Sequence, residues 1–369
     1  MGKWFRRQRW QALHAPASRR RSCRIPRLHE LRRRSLGEQH EGVGEALNEL
    51  AKPLNLQGNW ADAEQFQREA LAILQKNLGP NHLVVADMLN DLGVILWNRG
   101  KLREATEAYR AALAIKEKRL NPPNQKLAGA HNNLSLLLLD LGDFAQGEEQ
   151  ARQALSAYRE LFGENHPDVG MALHNHAKLL RELARLDEAE RAIRDAIEVY
   201  KRVYQGDHDY HAEALDDLGL ILEKKGDAKG SEAAFRTGLA MGRRTVGDDH
   251  PQTLHAMRHL ALVLSRGAAT LSEAEELMSR SIAASRRKFA KQPAALASCL
   301  DDLATFLVNT ARPKEAEPVL LEAYQLQANG NQSSRPLKKI CGGLVQLYGI
   351  LGQPDLAQKW AAKLVELGQ

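Results

Sequence analysis

The sequence predicts an all-α solenoid of about eight helix pairs, and three observations lead there. A short joint recurs at steps of 42 residues or multiples of it: "LGEQHEGV" with Gly37 and His40, "LGPNHLVV" with Gly79 and His82, "LFGENHPDV" with Gly163 and His166, "VGDDHPQT" with Gly247 and His250. Composition is 43% hydrophobic with only 5% aromatic residues, which suits helices packed through Ala and Leu rather than β-structure. Between the joints, apolar residues fall at helical spacing, and a fixed period in this range marks a repeat array. An array of 369 residues is expected to form one elongated body instead of the two or three globules that length alone suggests.

Taken in order, residues 1–23 read as a basic arm, 24–41 as a degenerate helix of a partial repeat, and 42–366 as eight repeats starting near 42, 84, 126, 168, 210, 252, 295 and 336. Within "HLVVADMLNDLGVILWNRGKLREATEAYRAALAIKEKRL", Met88, Leu89, Leu92, Ile95 and Leu96 give the stripe of a helix A. The Asn98 to Gly100 turn ends it, and Leu102, Ala105, Ala108, Tyr109, Ala112, Leu113 and Ile115 give the stripe of a helix B. The anchor of helix A recurs as Leu50, Leu92, Leu134, Leu218, Leu260, Leu303 and Leu344, with His176 as the exception and two late steps of 43 and 41 residues. Eight residues after each anchor stands a small turn residue, Gly58, Gly100, Gly142, Ala184, Gly226, Ala268, Ala311 or Gly352. Beyond it a second small residue, such as Ala63, Ala105, Ala189 or Ser231, marks where the two helices cross.

The joint between repeats has its own logic. Gly163 falls where a helix end wants a left-handed residue, Asn165 or His166 caps the next helix, and Pro167 and Asp168 suit its first turn. Degraded copies around Asn124 and His208 keep the register. Histidines one repeat apart project from successive helix starts and do not converge on one metal.

The pattern "DLGVILWNRGKLREATEAYRAALAIKEKRL", followed by a Gly-acid-x-His-Pro joint, resembles the tetratricopeptide repeat in its 42-residue form, as found in kinesin light chain and related bacterial proteins. The resemblance implies a right-handed α-solenoid, a superhelix of about eight helix-turn-helix repeats, in which the A helices line a concave groove that holds an extended peptide. The implied function is a non-catalytic protein-interaction scaffold or adaptor, its partner a protein or peptide. The two residues before each anchor belong to that face, so Asn48, Asn90, Asp91, Asn132, Asn133, His174, Asn175, Asp216, Asp217 and Arg258, with Lys178 and Arg181 further along, are the candidate groove residues. An asparagine carboxamide both donates to and accepts from a ligand backbone, which gives a sequence-tolerant grip. The other reading of these residues is a solvated polar face. The family's carboxylate clamp of paired basic residues is missing, and so are the heptads of a motor-binding segment.

No phosphate loop, nucleophile elbow or dinucleotide turn occurs, and no cofactor, metal or catalytic residue is expected. "HAMRH", His255 to His259, has the i,i+4 spacing of metal ligands but lacks the Glu of HExxH. Cys23, Cys299 and Cys341 lie far apart without ligand spacing, which suits reduced thiols in a cytoplasmic protein. The formal charge of +6 is uneven: residues 1–36 hold twelve Lys or Arg against Glu30, a local +11 that leaves −5 for the remainder. That arm reads as a disordered leader, an organellar transit peptide, a contact for nucleic acid or anionic membrane, or a segment folding back onto the acidic row. A nucleic-acid- or membrane-associated factor using the arm is therefore the alternative function. At the C-terminal edge, Leu356, Trp360 and Leu364 are expected to be partly bare and to favour self-association.

Overall fold

The computed structural model describes residues 33–290, 292–329 and 334–367. From Glu41 onward these residues form sixteen α-helices and, among the described residues, no strand. Two compact units result, Met1–Leu161 and Phe162–Gln369. In the first, α1 (Glu41–Gln57) pairs with α2 (Trp60–Leu78) and α3 (Leu83–Asn98) with α4 (Leu102–Arg119), followed by α5 (Gln125–Leu141) and α6 (Phe144–Phe162). In the second, α7 (Pro167–Glu182) pairs with α8 (Leu186–Val203), α9 (Asp209–Lys225) with α10 (Ala228–Val246) and α11 (Pro251–Leu264) with α12 (Leu271–Lys288). The last pairs are α13 (Pro293–Asn309) with α14 (Pro313–Ala328) and α15 (Ser334–Ile350) with α16 (Pro354–Glu366). Odd-numbered helices are the A helices of their repeats. The basic arm and residues 24–32 lie outside the described residues.

Seven of the eight A helices stop in the same way because the turn residue leaves the right-handed region. Gly58, Gly100, Gly142, Gly226 and Gly352 take φ between 70° and 91°, a conformation that costs glycine nothing. The two following amides then reach back to carbonyls the helix end leaves open, as Asn59 N does to Leu54 O at 2.9 Å and Asp227 N to Leu222 O at 3.0 Å. Ala184 and Ala311 occupy the same turn at φ 58°, where a Cβ is strained. The sixth repeat differs: after Ser265 the chain inserts a 3₁₀ turn, Ala268–Thr270, before α12, and this extra residue accounts for the 43-residue step.

The joints show what the recurring histidine does. Its Nδ1 accepts from the amide two residues on, in His40 (Gly42 N, 3.1 Å), His82 (Val84 N, 3.3 Å), His166 (Asp168 N, 3.2 Å), His208 (Tyr210 N, 3.2 Å) and His250 (Gln252 N, 3.4 Å). Asn124 does the same with Oδ1 to Lys126 N at 2.9 Å. These residues are helix N-caps, each satisfying a donor that the first turn leaves without a partner. Of the two candidates at the joint before α7, His166 is the cap, while Asn165 Oδ1 accepts from Arg202 Nη1 at 3.1 Å.

Where helices A and B cross, Ala63, Ala105, Ala189, Ser231, Ala274 and Ala316 have no solvent exposure. Facing them, an aromatic fills the gap left by a glycine: a Cβ added to Gly219 would lie 2.6 Å from the Phe235 ring, and one on Gly93 3.0 Å from Tyr109. At the C-terminal edge Leu356, Trp360 and Leu364 are partly exposed, in line with the expectation. Leu356 and Trp360 pack in part against the core of the second unit, with the indole edge-on to Tyr324 at 4.7 Å, and Ile350 and Val365 are barer still, 58% and 64% exposed.

Two expected outcomes follow for stability. A left-handed alanine costs about 1 to 2 kcal/mol, of which a freer unfolded chain takes back about 0.4 to 1 kcal/mol when glycine replaces it. Ala184→Gly, at an exposed turn, should therefore stabilise the second unit by about 0.5 to 1 kcal/mol. A urea midpoint that moves up at constant slope checks it. At the joints, His82→Ala should cost about 1 kcal/mol while His82→Asn stays within a few tenths, because the carboxamide of Asn124 fills the same role. Equal losses for the two variants, measured by thermal denaturation, would contradict the capping role.

Candidate functional site

Just before its anchor, each A helix but the last, where Gly342 and Gly343 stand, carries the polar pair that the sequence singles out, and in each unit this pair lies where one A helix meets the next. The first unit joins its A helices through carboxamides. Asn98 Nδ2 donates to Asn55 Oδ1 at 2.9 Å and Asn133 Nδ2 to Asn90 Oδ1 at 3.1 Å. Trp97 Nε1 adds a bond to Asp140 Oδ2 at 2.8 Å. Asn48 and Asn132 are buried, whereas Asn90, Asp91 and Asn133 stay half-buried. Burial pushes the Asp91 carboxyl above its ordinary value, with the Lys52 ammonium opposing.

The second unit uses charges at the same positions. Asp217 on α9 accepts from Arg181 Nη1 at 2.8 Å and bonds His174 Nε2 at 2.7 Å, and Lys178 Nζ stands 3.4 Å from Glu213 and 3.6 Å from Asp217. The neighbouring Asp216 faces α11, with His259 Nδ1 at 3.0 Å and His255 Nδ1 at 3.4 Å. Arg258, 3% exposed, gives Nε to Asp302 Oδ2 at 2.9 Å and Nη1 to the Leu254 carbonyl and the Ser281 and Ser285 hydroxyls. Lys339 Nζ reaches Asp301 at 2.6 Å and Arg335 Nη2 reaches Glu182 at 2.5 Å.

Burial, the largest single influence, would raise the Asp302 carboxyl, but the Arg258 guanidinium and next the Lys339 ammonium, with smaller help from the α11 histidines, together hold the group below its ordinary value. His174 is held down by burial and then by the Lys178 ammonium, against the pull of Asp217. His255 is pushed down to about 3, first by burial and next by His259. Such buried charges need partners, since an uncompensated one costs several kcal/mol.

Of the candidate residues, then, His174, Lys178, Arg181 and Asp217 come together in one network, Asp216 and Arg258 stand in two others, and Asn90 pairs with Asn133. Asn175 is buried on α7. A freely accessible acidic row for the arm to fold back on is not what the second unit presents, because Asp216, Asp217, Asp301 and Asp302 are engaged by His, Lys and Arg of the array. Sequence reasoning passed over Arg335, Lys339 and the serines around Arg258. Arg335 lies 153 residues from Glu182, and Ser281 and Ser285 lie 23 and 27 from Arg258, separations that do not follow the repeat period and leave no trace in the sequence.

The profile of the tetratricopeptide repeat matches residues 54–118, 126–202, 171–244 and 210–286, more than half of the chain. A search of curated proteins finds no match. Among solved structures, the apo form of the quorum sensor NprR from B. thuringiensis is similar at a TM-score of 0.63 and 15% identity, over 89% of this chain and 88% of that one. The Rap conjugation gene regulator of plasmid pLS20, in complex with the Phr* peptide, is similar at 0.62 and 14%, over 89% and 95%. BtubC (BKLC) from P. vanneervenii is similar at 0.51 and 21%, over 66% and 92%. At these identities the likeness is one of fold.

The lowered His174 imidazole sets a pH dependence. The unfolded chain takes up the proton first, near its ordinary 6.5, so the contribution to stability is complete above that pH and is lost as pH falls through the folded value. The second unit should therefore unfold at lower urea at pH 5 than at pH 7.5, and His174→Gln should flatten part of that slope. His211 and His255 shift in the same direction and leave the rest. A slope unchanged in the variant, read from urea titrations, would show that His174 is not a contributor.

Proposed function

Because the chain belongs to the tetratricopeptide repeat family, we propose that it is a protein-interaction scaffold without catalysis of its own, and that it takes an extended peptide segment on its A-helix face. The observation that carries this reading is the half-buried carboxamide pair Asn90 and Asn133, one repeat apart on α3 and α5, beside the half-buried Asp91. Each amide bonded to its neighbour still has donor and acceptor capacity to offer a peptide backbone. Lys178 and Arg181 play the corresponding part in the second unit, where their carboxylate partners fix them in place. Asn48, Asn132, Asn175, Asp216, Asp217 and Arg258 support the row from within.

Internal pairing of the acids favours a ligand gripped through its backbone over one selected by strong charge. The structure of the pLS20 Rap regulator contains the Phr* peptide, a precedent for a similar fold with a peptide bound. No described helix is long and apolar enough to cross a membrane, and a cytoplasmic scaffold is the reading we adopt. The described residues offer nothing in favour of nucleic acid or anionic lipid as a partner. The row of partly buried polar groups suits a protein segment.

A displayed peptide library selected against the full chain tests the proposal. Ligands so obtained should bind the Asn90→Ala, Asn133→Ala double variant about 5-fold to 150-fold more weakly, two hydrogen bonds at about 0.5 to 1.5 kcal/mol each. Calorimetric affinities equal to wild type, with helicity unchanged, would place the peptide elsewhere.

A further inference from the structure

Two consecutive carboxylates on α9 serve different neighbours, Asp217 the histidine and cations of α7 and Asp216 the histidines of α11. His255 and His259 are one helical turn apart, so their imidazoles share a face. The rings meet edge-on, with centroids 4.1 Å apart and planes at 67°. Their Nδ1 atoms lie 3.4 Å and 3.0 Å from the Asp216 carboxylate, and one ligand atom of each of the three residues falls within 4.8 Å of the other two. In a tetrahedral zinc site with bonds of about 2.0 to 2.1 Å, ligand atoms stand about 3.3 Å apart. The contacts already have the length of a coordination edge.

We propose that Asp216, His255 and His259 form a site for a divalent first-row transition-metal ion, zinc being the reference case. Two imidazole nitrogens and one carboxylate oxygen are a donor set that such ions take and that magnesium and calcium do not favour. Coordination replaces the hydrogen bonds: each neutral imidazole carries its proton on Nε2, which frees the Nδ1 lone pair for the ion. His255, with its side chain 35% exposed, leaves the approach from solvent open. Arg258 lies between the two histidines in sequence, yet its guanidinium is taken up by Asp302, Ser281, Ser285 and the Leu254 carbonyl.

A second cluster, His174, Glu213 and Asp217, has similar spacing, but protein cations hold it. Lys178 stands against both of its carboxylates and Arg181 donates to Asp217, so an ion there would have to displace two fixed positive charges. A metal at the first cluster joins α9 to α11, helix A of one repeat to helix A of the next.

The full-length chain without a polyhistidine tag, freed of metal by a chelator, is titrated with cobalt(II) chloride followed by its visible absorption and with zinc chloride followed by calorimetry. One ion per chain is expected, with zinc raising the melting temperature of the second unit. His255→Gln and Asp216→Asn should each weaken binding by at least about 10-fold, since even changes outside the coordination shell reach that size, while His174→Gln binds as wild type. If Asp216→Asn does not fold by circular dichroism, His255→Gln at its half-exposed position decides alone. Absence of saturable uptake, uptake that survives His255→Gln, or uptake abolished by His174→Gln overturns the proposal.

Discussion

Everything in the array depends on how closely the two helices of a repeat approach. Side chains at the crossing are reduced to a methyl or a hydroxymethyl group, and Ala105, Ala189 and Ser231 are sealed from solvent there. The one polar atom at this crossing, Ser231 Oγ, donates to the Gly219 carbonyl at 2.9 Å, so its burial leaves no group without a partner. Close approach also dictates where bulk must go. Tyr109, Tyr200 and Phe235, the largest fully buried side chains, lie against Gly93, Gly170 and Gly219 of the A helices. A small residue on helix B and a glycine on helix A are two halves of one packing solution, and neither is useful alone.

The apolar stripe of each A helix packs on its own B helix and on the B helix before it, and to one another the A helices also offer polar groups. Burying such groups stabilises the fold only slightly, since desolvation offsets most of the attraction. Their larger effect is on register. Arg258 with Asp302, and His259 with Asp216, can pair only when successive helices stand at one offset, and a slip by one residue would strand a buried charge at a cost of several kcal/mol. Apolar packing supplies the driving force, and the polar seam selects a single arrangement from those that packing would tolerate.

This division explains what the sequence disclosed. The period, helix pairs, turn glycines and joint histidines recur, so each copy reinforces the others, and a cap such as His82 could be read from its spacing and chemistry. The left-handed Ala184 and Ala311 were legible only because they stand in a glycine column. The polar seam was less accessible: the row of Asn90, Asn132, Asp216 and Asp217 was visible as a pattern on helix A, but its depth was not, because exposure depends on the neighbouring repeat. In the sequence Asp216 reads as groove lining, and His255 and His259 as a metal-ligand spacing that lacks the Glu of HExxH. Nothing within either segment shows that a turn, a helix and a joint bring together residues 39 to 43 positions apart.

Histidine shows how position converts one side chain into two devices. At a joint, Nδ1 lies beside the first amides of a helix and accepts a hydrogen bond, and because every repeat has a start, that use recurs. In the middle of α11, the same atom lies beside a carboxylate of the preceding A helix, and that use belongs to one junction among the described residues. Recurrence therefore separates the residues that build the array from those that distinguish its parts. At equivalent positions the first unit holds mostly amides, with Glu49 and Asp91 among them, and the second holds mostly acids, imidazoles and a guanidinium, with Asn175 among them, so one backbone plan carries two seams of different chemistry. Amides suit a neutral peptide backbone, whereas ionisable side chains respond to protons and cations. The departures from the repeat, more than the repeat itself, are where selectivity is written.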